Sequence, residues 1–125
     1  MDNLVMDKTK STPEINFNLE TGLLQFKGES YPENVPKFYT PILEWLKEYI
    51  ELTDKEITLE FQIIYFNSST SKVFMTIFDW LEEEVKKGKR IKVKWICDKD
   101  NETSIEFGEE FKEDLEQLPF EIDLV

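Results

Sequence analysis

The sequence predicts a single α/β domain with one mixed β-sheet, about five strands and three helices, in the order β-β-α-β-α-β-α-β. Three observations predict it. Apolar residues alternate with period two around residues 15–19, 57–61 and 91–97, as they do in strands with one buried face. Longer segments with helical periodicity separate the later strands, and that alternation favours parallel pairing through right-handed crossovers. At 125 residues the chain has the length of one domain. A chain of that size buries roughly two-thirds of its unfolded surface without needing staples.

The elements follow in order. Residues 1–10, MDNLVMDKTK, are polar and aperiodic and read as a flexible segment ahead of a domain spanning 11–125. Ile15-Asn-Phe-Asn-Leu19 alternates as a strand, Glu20-Thr-Gly22 supplies a turn, and Leu23, Leu24 and Phe26 open a second strand ending at Gly28. Phe38, Ile42, Trp45, Leu46, Tyr49 and Ile50 mark one face of a first helix. Its start falls either at Thr40-Pro41 or earlier, near Asn34. Ile57 to Phe66 alternates and then becomes continuously apolar, which predicts a central strand covered on both faces.

Val73, Phe74, Ile77, Phe78, Trp80, Leu81 and Val85 share one arc of a second helix, which Gly88 ends. Lys86, Lys87, Lys89 and Arg90 around that glycine read as a helix C-terminus favoured by the macrodipole. Ile91–Cys97 alternates again as a strand. Thr103-Ser-Ile-Glu106 has the form of a capping box for a third helix carrying Phe107, Phe111, Leu115 and Leu118. Pro119 closes that helix, and Phe120–Val125 forms the last strand.

Composition narrows the function. A net charge of −12, with 27 acidic residues against 15 basic ones, is the wrong balance for gripping a phosphate backbone. No run approaches the roughly 20 apolar residues of a membrane span. The single cysteine, Cys97, reads as a buried hydrophobe in a reducing, cytoplasmic setting. The absence of histidine removes His-activated nucleophiles and leaves no plausible zinc site, so no metal or cofactor is expected. A small enzyme relying on carboxylates is the remaining catalytic alternative, and nothing selects one pair from 27 acids. Glu82-Glu-Glu84 and Glu109-Glu110 read as solvated helix faces.

The junction Tyr65-Phe-Asn-Ser-Ser-Thr-Ser-Lys72 carries the most information. Ligands and partners of open α/β sheets meet the carboxyl ends of the strands, and a helix N-terminus favours negative charge. A phosphoryl group on Ser68 or Ser69 adds about −1.5 to −2 charges without breaking such a cap. The competing reading is that Asn, Ser and Thr are simply good N-cap residues. That reading leaves unexplained why five small polar residues stand in a row. Met75 falls on the helix arc opposite the core, near Ser68, Lys72 and Asp79. It is either an adaptable partner contact or an isolated surface residue.

Ser11-Thr-Pro-Glu-Ile15, Gly28-Glu-Ser-Tyr-Pro-Glu-Asn34, Tyr65-Phe-Asn-Ser-Ser69 with Lys72, and Glu106-Phe-Gly-Glu109 together resemble the SiaC family of bacterial regulatory phosphoproteins, from about Ser11 to Ile122. The resemblance implies a STAS-like fold and a partner-switching role. A dedicated protein kinase phosphorylates such a protein, a PP2C-type phosphatase reverses this, and the unphosphorylated form activates a diguanylate cyclase, raising cyclic-di-GMP. It places the phosphoacceptor at the hydroxyl after the Asn, here Ser68, with Ser69 and Thr70 as alternates. The family usually carries Thr followed by two Ser there, whereas this chain reads Asn67-Ser-Ser-Thr-Ser71. Tyr31, Glu33, Asn34, Asn67, Ser69, Lys72 and Met75 are the partner-binding candidates. An anti-sigma factor antagonist is the alternative binding module, sharing the switch but differing in partner class.

Overall fold

The computed structural model describes residues 1–125. The strands are β1 (Leu4–Met6), β2 (Glu14–Phe17), β3 (Leu23–Ser30), β4 (Ile57–Phe66), β5 (Ile91–Cys97) and β6 (Phe120–Leu124). The helices are α1 (Val35–Leu52), α2 (Ser68–Lys86) and α3 (Glu102–Glu113). The sheet order is sequential, β1-β2-β3-β4-β5-β6. The first two pairings are antiparallel and the last three parallel, so the sheet is mixed as expected.

One strand was not expected. Leu4–Met6 pairs with Ile15–Phe17, so the opening segment is an edge of the sheet, not a flexible leader. Two long-range bonds hold it: the Leu19 amide donates to Asn3 Oδ1 at 2.9 Å, and Trp45 Nε1 donates to the Asp2 carbonyl at 2.8 Å. The turn after β2 needs Gly22, whose φ is +72° and whose missing Cβ leaves room for the Glu56 carbonyl.

The three parallel crossovers advance in the same direction across the sheet. Right-handed crossovers of that kind put every helix on one face. The buried residues agree: Ile15, Phe17, Leu24, Phe26, Leu59, Phe61, Ile63, Val93 and Trp95 turn inward, while Asn16, Gln25, Thr58, Glu60 and Lys94 alternate outward. This corrects the expectation that β4 is covered on both faces. Its outer face is polar, and Gln25 Nε2 donates to Glu60 Oε1 at 3.0 Å across it. An aromatic stack fills the inner layer, with Phe61 against Phe26 (centroids 4.2 Å apart), Phe74 (5.2 Å) and Trp95 (6.0 Å).

The helix ends follow local chemistry. α1 starts at the Asn34 cap, the earlier of the two options, and Pro41 lies inside it. Tyr39 joins its buried face, while Phe38 and Trp45 are only half-buried. α2 ends in a Schellman motif, with Gly88 (φ +103°) donating to Val85 and Lys89 to Glu84. The basic residues there serve the fold: Lys89 Nζ reaches the Thr53 carbonyl at 2.9 Å, and Arg90 reaches the Asp54 carbonyl at 2.7 Å. α3 is capped by Asn101, not by the Thr103 box, and it ends at Glu113, so Leu115 and Leu118 pack from the loop beyond it. No helix is long and apolar enough to cross a membrane.

Glu82 corrects the reading of residues 82–84 as a solvated face. It is 6% exposed, and its carboxylate accepts from the amides of Glu116, Gln117 and Leu118 at 2.6–2.7 Å. Burial alone raises its pKa. The three N–H donors, with Lys86, outweigh that and hold the carboxyl below the ordinary 4.5. A carboxyl whose pKa is depressed by folding stabilises the native state above its unfolded value, and that contribution fades as pH falls through the folded value. Glu82→Gln, which keeps one acceptor oxygen where the carboxylate uses two, should cost about 2–3 kcal/mol at neutral pH. Urea midpoints of the two proteins should converge below the ordinary value of 4.5. Equal stability at neutral pH would show that the carboxylate does not anchor the loop.

Gly108 gives a second test. A Cβ there would stand 2.6 Å from Trp95 Cδ1. Gly→Ala in an open helix gains about 1 kcal/mol, but overpacking costs roughly 1–3 kcal/mol. Gly108→Ala should therefore lower Tm in a thermal scan, and a raised Tm would show that Trp95 moves aside freely.

Candidate functional site

The carboxyl ends of β3, β4 and β5 lie along one edge of the sheet, and each strand feeds a helix there. The three helices begin at Asn34, Asn67 and Asn101. Each asparagine accepts from the amide three residues on, at Lys37, Thr70 and Ser104, with distances of 3.1, 3.0 and 3.1 Å. Three positive helix ends thus converge on one side of a strongly acidic molecule.

A β-bulge shapes the middle of this edge. Gly28 pairs with Ile63 and Glu29 with Tyr65, so Ile64 is an extra residue in β4. The strand therefore turns Ile63 and Phe66 inward, three residues apart, and leaves Ile64 and Tyr65 outside at 67% and 54% exposure. Asn101 Nδ2 donates to the Ile64 carbonyl at 3.3 Å, which ties the α3 cap to the bulge. Phe66 packs on Phe107 of α3 with centroids 4.7 Å apart.

The result is a groove of about 640 Å³ between the starts of α2 and α3. Ile64, Tyr65, Asn67, Ser68, Thr103 and Phe107 are among its walls, and no charged side chain lines it. Ser68 is the first residue of α2 and is exposed, as is Ser69. Thr70 is fully buried. Its Oγ1 donates to the Ser30 carbonyl at 3.1 Å and lies 3.0 Å from Ser30 Oγ, which in turn lies 2.6 Å from the Tyr39 hydroxyl. The Asn67 amide also donates to the Ser30 carbonyl, at 3.2 Å. Desolvation raises the Tyr39 pKa, and the bond to Ser30 only partly offsets this, so the phenol stays protonated. In the folded protein Thr70 is therefore closed to a modifying enzyme, while Ser68 and Ser69 are open.

The other candidates divide. Tyr31 is half-buried and sets its ring edge-on to Tyr65, 5.8 Å away, so it does adjoin the groove. Asn34 and Asn67 have their Oδ1 atoms engaged as caps. Glu33 is exposed on the preceding loop. Ser68, Lys72 and Met75 are all exposed on α2, but they open onto different surfaces: Lys72 borders α1, beside Pro36 and Leu43, and Met75 faces α3. Sequence reasoning missed Ser30, Ile64 and Asn101. The four-residue apolar run Ile63–Phe66, which simple alternation does not allow, is the signal that points to the bulge. Cys97 is buried, and burial, with the charges of Asp98 and Asp123, raises its thiol pKa, so it is not a reactive group.

If Thr70 is a tie and not an acceptor, Thr70→Val should cost about 1–3 kcal/mol, because it leaves Ser30 short of a partner. Ser69→Ala should fall within about 0.5 kcal/mol of the parent. Urea unfolding of both variants checks this, and a neutral Thr70→Val would remove the structural role.

Comparison with known proteins agrees with the resemblance in the sequence. The family model described as the SiaC family regulatory phosphoprotein matches residues 6–125. An uncharacterized protein of Pseudomonas aeruginosa strain UCBPP-PA14 is 34% identical over 122 residues, covering 98% of this chain and 96% of the relative. The solved structure of SiaC of Pseudomonas aeruginosa superposes with a TM-score of 0.92 at 31% identity over 100% of both chains. A crystal structure of the diguanylate cyclase SiaD in complex with its activator SiaC, from the same organism, matches with a TM-score of 0.92 at 33% identity, covering 98% of this chain and 99% of that one. With its whole domain matched and its helix-start hydroxyls at the sheet edge, this chain belongs to the SiaC family of regulatory phosphoproteins.

Proposed function

We propose that this protein is a phosphorylation-controlled partner switch whose unphosphorylated form binds and activates a diguanylate cyclase, with Ser68 as the phosphoacceptor. One observation carries the reading. Ser68 offers an exposed hydroxyl at the first position of α2, beside a neutral groove, in a chain whose family is one of regulatory phosphoproteins. The partner class is supported by the relative SiaC, which is described as the activator of the cyclase SiaD. The protein acts by binding, not by catalysis, in the cytoplasm. A dedicated kinase and a PP2C-type phosphatase set its state.

The physical logic is local. At the start of α2 a phosphoryl group meets free backbone N–H donors and the positive end of the helix dipole, so the fold tolerates it. For a partner seated over Tyr31, Tyr65 and Ser68, the same group brings about −2 charges into a groove lined by neutral residues. The partner would have to displace or desolvate that charge. A loss of about 1–3 kcal/mol corresponds to roughly 5–150-fold weaker binding.

The test joins site mapping to affinity. Peptide mass spectrometry on protein from its native host should find phosphate on Ser68. Calorimetry should show cyclase binding weakened roughly 5–150-fold by phosphorylation or Ser68→Asp, and retained by Ser68→Ala. Phosphate on Ser69 would move the acceptor by one residue. Unchanged affinity in the phosphorylated protein would overturn the switch.

A further inference from the structure

A second groove lies further along the same pair of helices, α2 and α3. Where α2 and α3 run past each other, a pocket of about 240 Å³ has Met75, Phe78 and Phe111 as its apolar floor. Asp79, Glu110, Glu113 and Asp114 form its rim, and no basic residue lines it. None of these four carboxylates takes part in an ion pair, since the salt bridges of the molecule join Lys86 to Glu83, Lys87 to Glu84 and Lys89 to Asp54. Met75 is 47% exposed. It is an unbranched, polarizable side chain that reshapes easily around a guest.

We propose that this groove docks a basic amphipathic helix of a partner protein. One apolar side chain of that helix sits on Met75, and Lys or Arg residues one turn to either side meet the carboxylate rim. Size, period and charge carry the argument. The pocket is smaller than the roughly 300–1,000 Å³ that enclose small-molecule ligands, so it suits a single side chain. Its walls repeat at one helical turn, through Ser71, Met75 and Asp79 on α2 and through Glu110 and the Asp114 that caps α3. A guest helix presents an anchor and flanking charges at that same spacing.

Four unpaired carboxylates around an apolar floor reject an acidic guest and favour a cationic one. A second copy of this chain is a poor occupant, because its only basic cluster is engaged by Glu83, Glu84, Thr53 and Asp54. The proposal concerns the unphosphorylated chain and does not depend on which hydroxyl accepts phosphate.

The test uses the full-length protein and two labelled helical peptides of equal positive charge. One carries leucine anchors flanked by lysines, and in the other serine replaces each leucine. In fluorescence anisotropy at physiological salt, the anchored peptide should bind roughly tenfold more tightly or better. Met75→Ser should erase that difference, and Asp79→Asn with Glu113→Gln should weaken both peptides. Equal binding of the two peptides would reduce the interaction to net charge and overturn the proposal. So would an unaltered preference in Met75→Ser, with its unchanged Tm confirming the fold. Sedimentation showing a dimer that Met75→Ser dissolves would assign the groove to self-association instead.

Discussion

Everything at the functional edge depends on a constraint of handedness. Three successive right-handed crossovers that step the same way across a sheet must lay their helices on one face and start them at one edge. The face opposite is left to water and to polar residues such as Gln25, Glu60 and Lys94. The edge gathers three helix N-termini, each capped by an asparagine. That placement makes Ser68 a surface residue at a positive helix end without any special arrangement of side chains around it.

On this frame the bulge at Ile64 does the local shaping. Without it, a strict alternation that turns Ile63 inward would turn Tyr65 inward as well and push Phe66 out. The extra residue lets Phe66 reach Phe74, Trp95 and Phe107, and leaves Tyr65 outside against Tyr31. Buried and exposed aromatic side chains are thereby separated within four residues. The Asn101 side-chain amide donates to the Ile64 carbonyl, so the start of α3 is tied to the bulge.

Periodicity made the main elements legible because burial on one face writes itself into the sequence at spacings of two or 3.6 residues. The arc Phe74–Leu81, the alternation in Ile91–Cys97 and the stop at Gly88 are of that kind. What stayed hidden depends on partners distant in sequence. Leu4–Met6 is too short to show a period and is a strand only because β2 offers an edge. Glu82 looks like its neighbours Glu83 and Glu84, and only the returning loop at Glu116–Leu118 sets it apart. Asn101 and Thr103 are both acceptable caps locally, and the position of β4 decides between them. The run Ile63–Phe66 suggested burial on two faces, whereas its cause is an inserted residue on one.

The row of hydroxyls after β4 shows why a cap alone is an insufficient account of the site. Asn67 satisfies the helix start by itself. Thr70 is spent on Ser30, which binds α2 to β3 and, through Tyr39, to α1. Ser71 turns towards α3. The two hydroxyls that remain, on Ser68 and Ser69, stabilise nothing in the fold, and they are the two that face solvent. A modification site needs an exposed nucleophile on a rigid support whose own stability does not rest on that group. Here the support comes from Asn67 and Thr70, on either side of the pair, so the fold does not rest on the Ser68 hydroxyl.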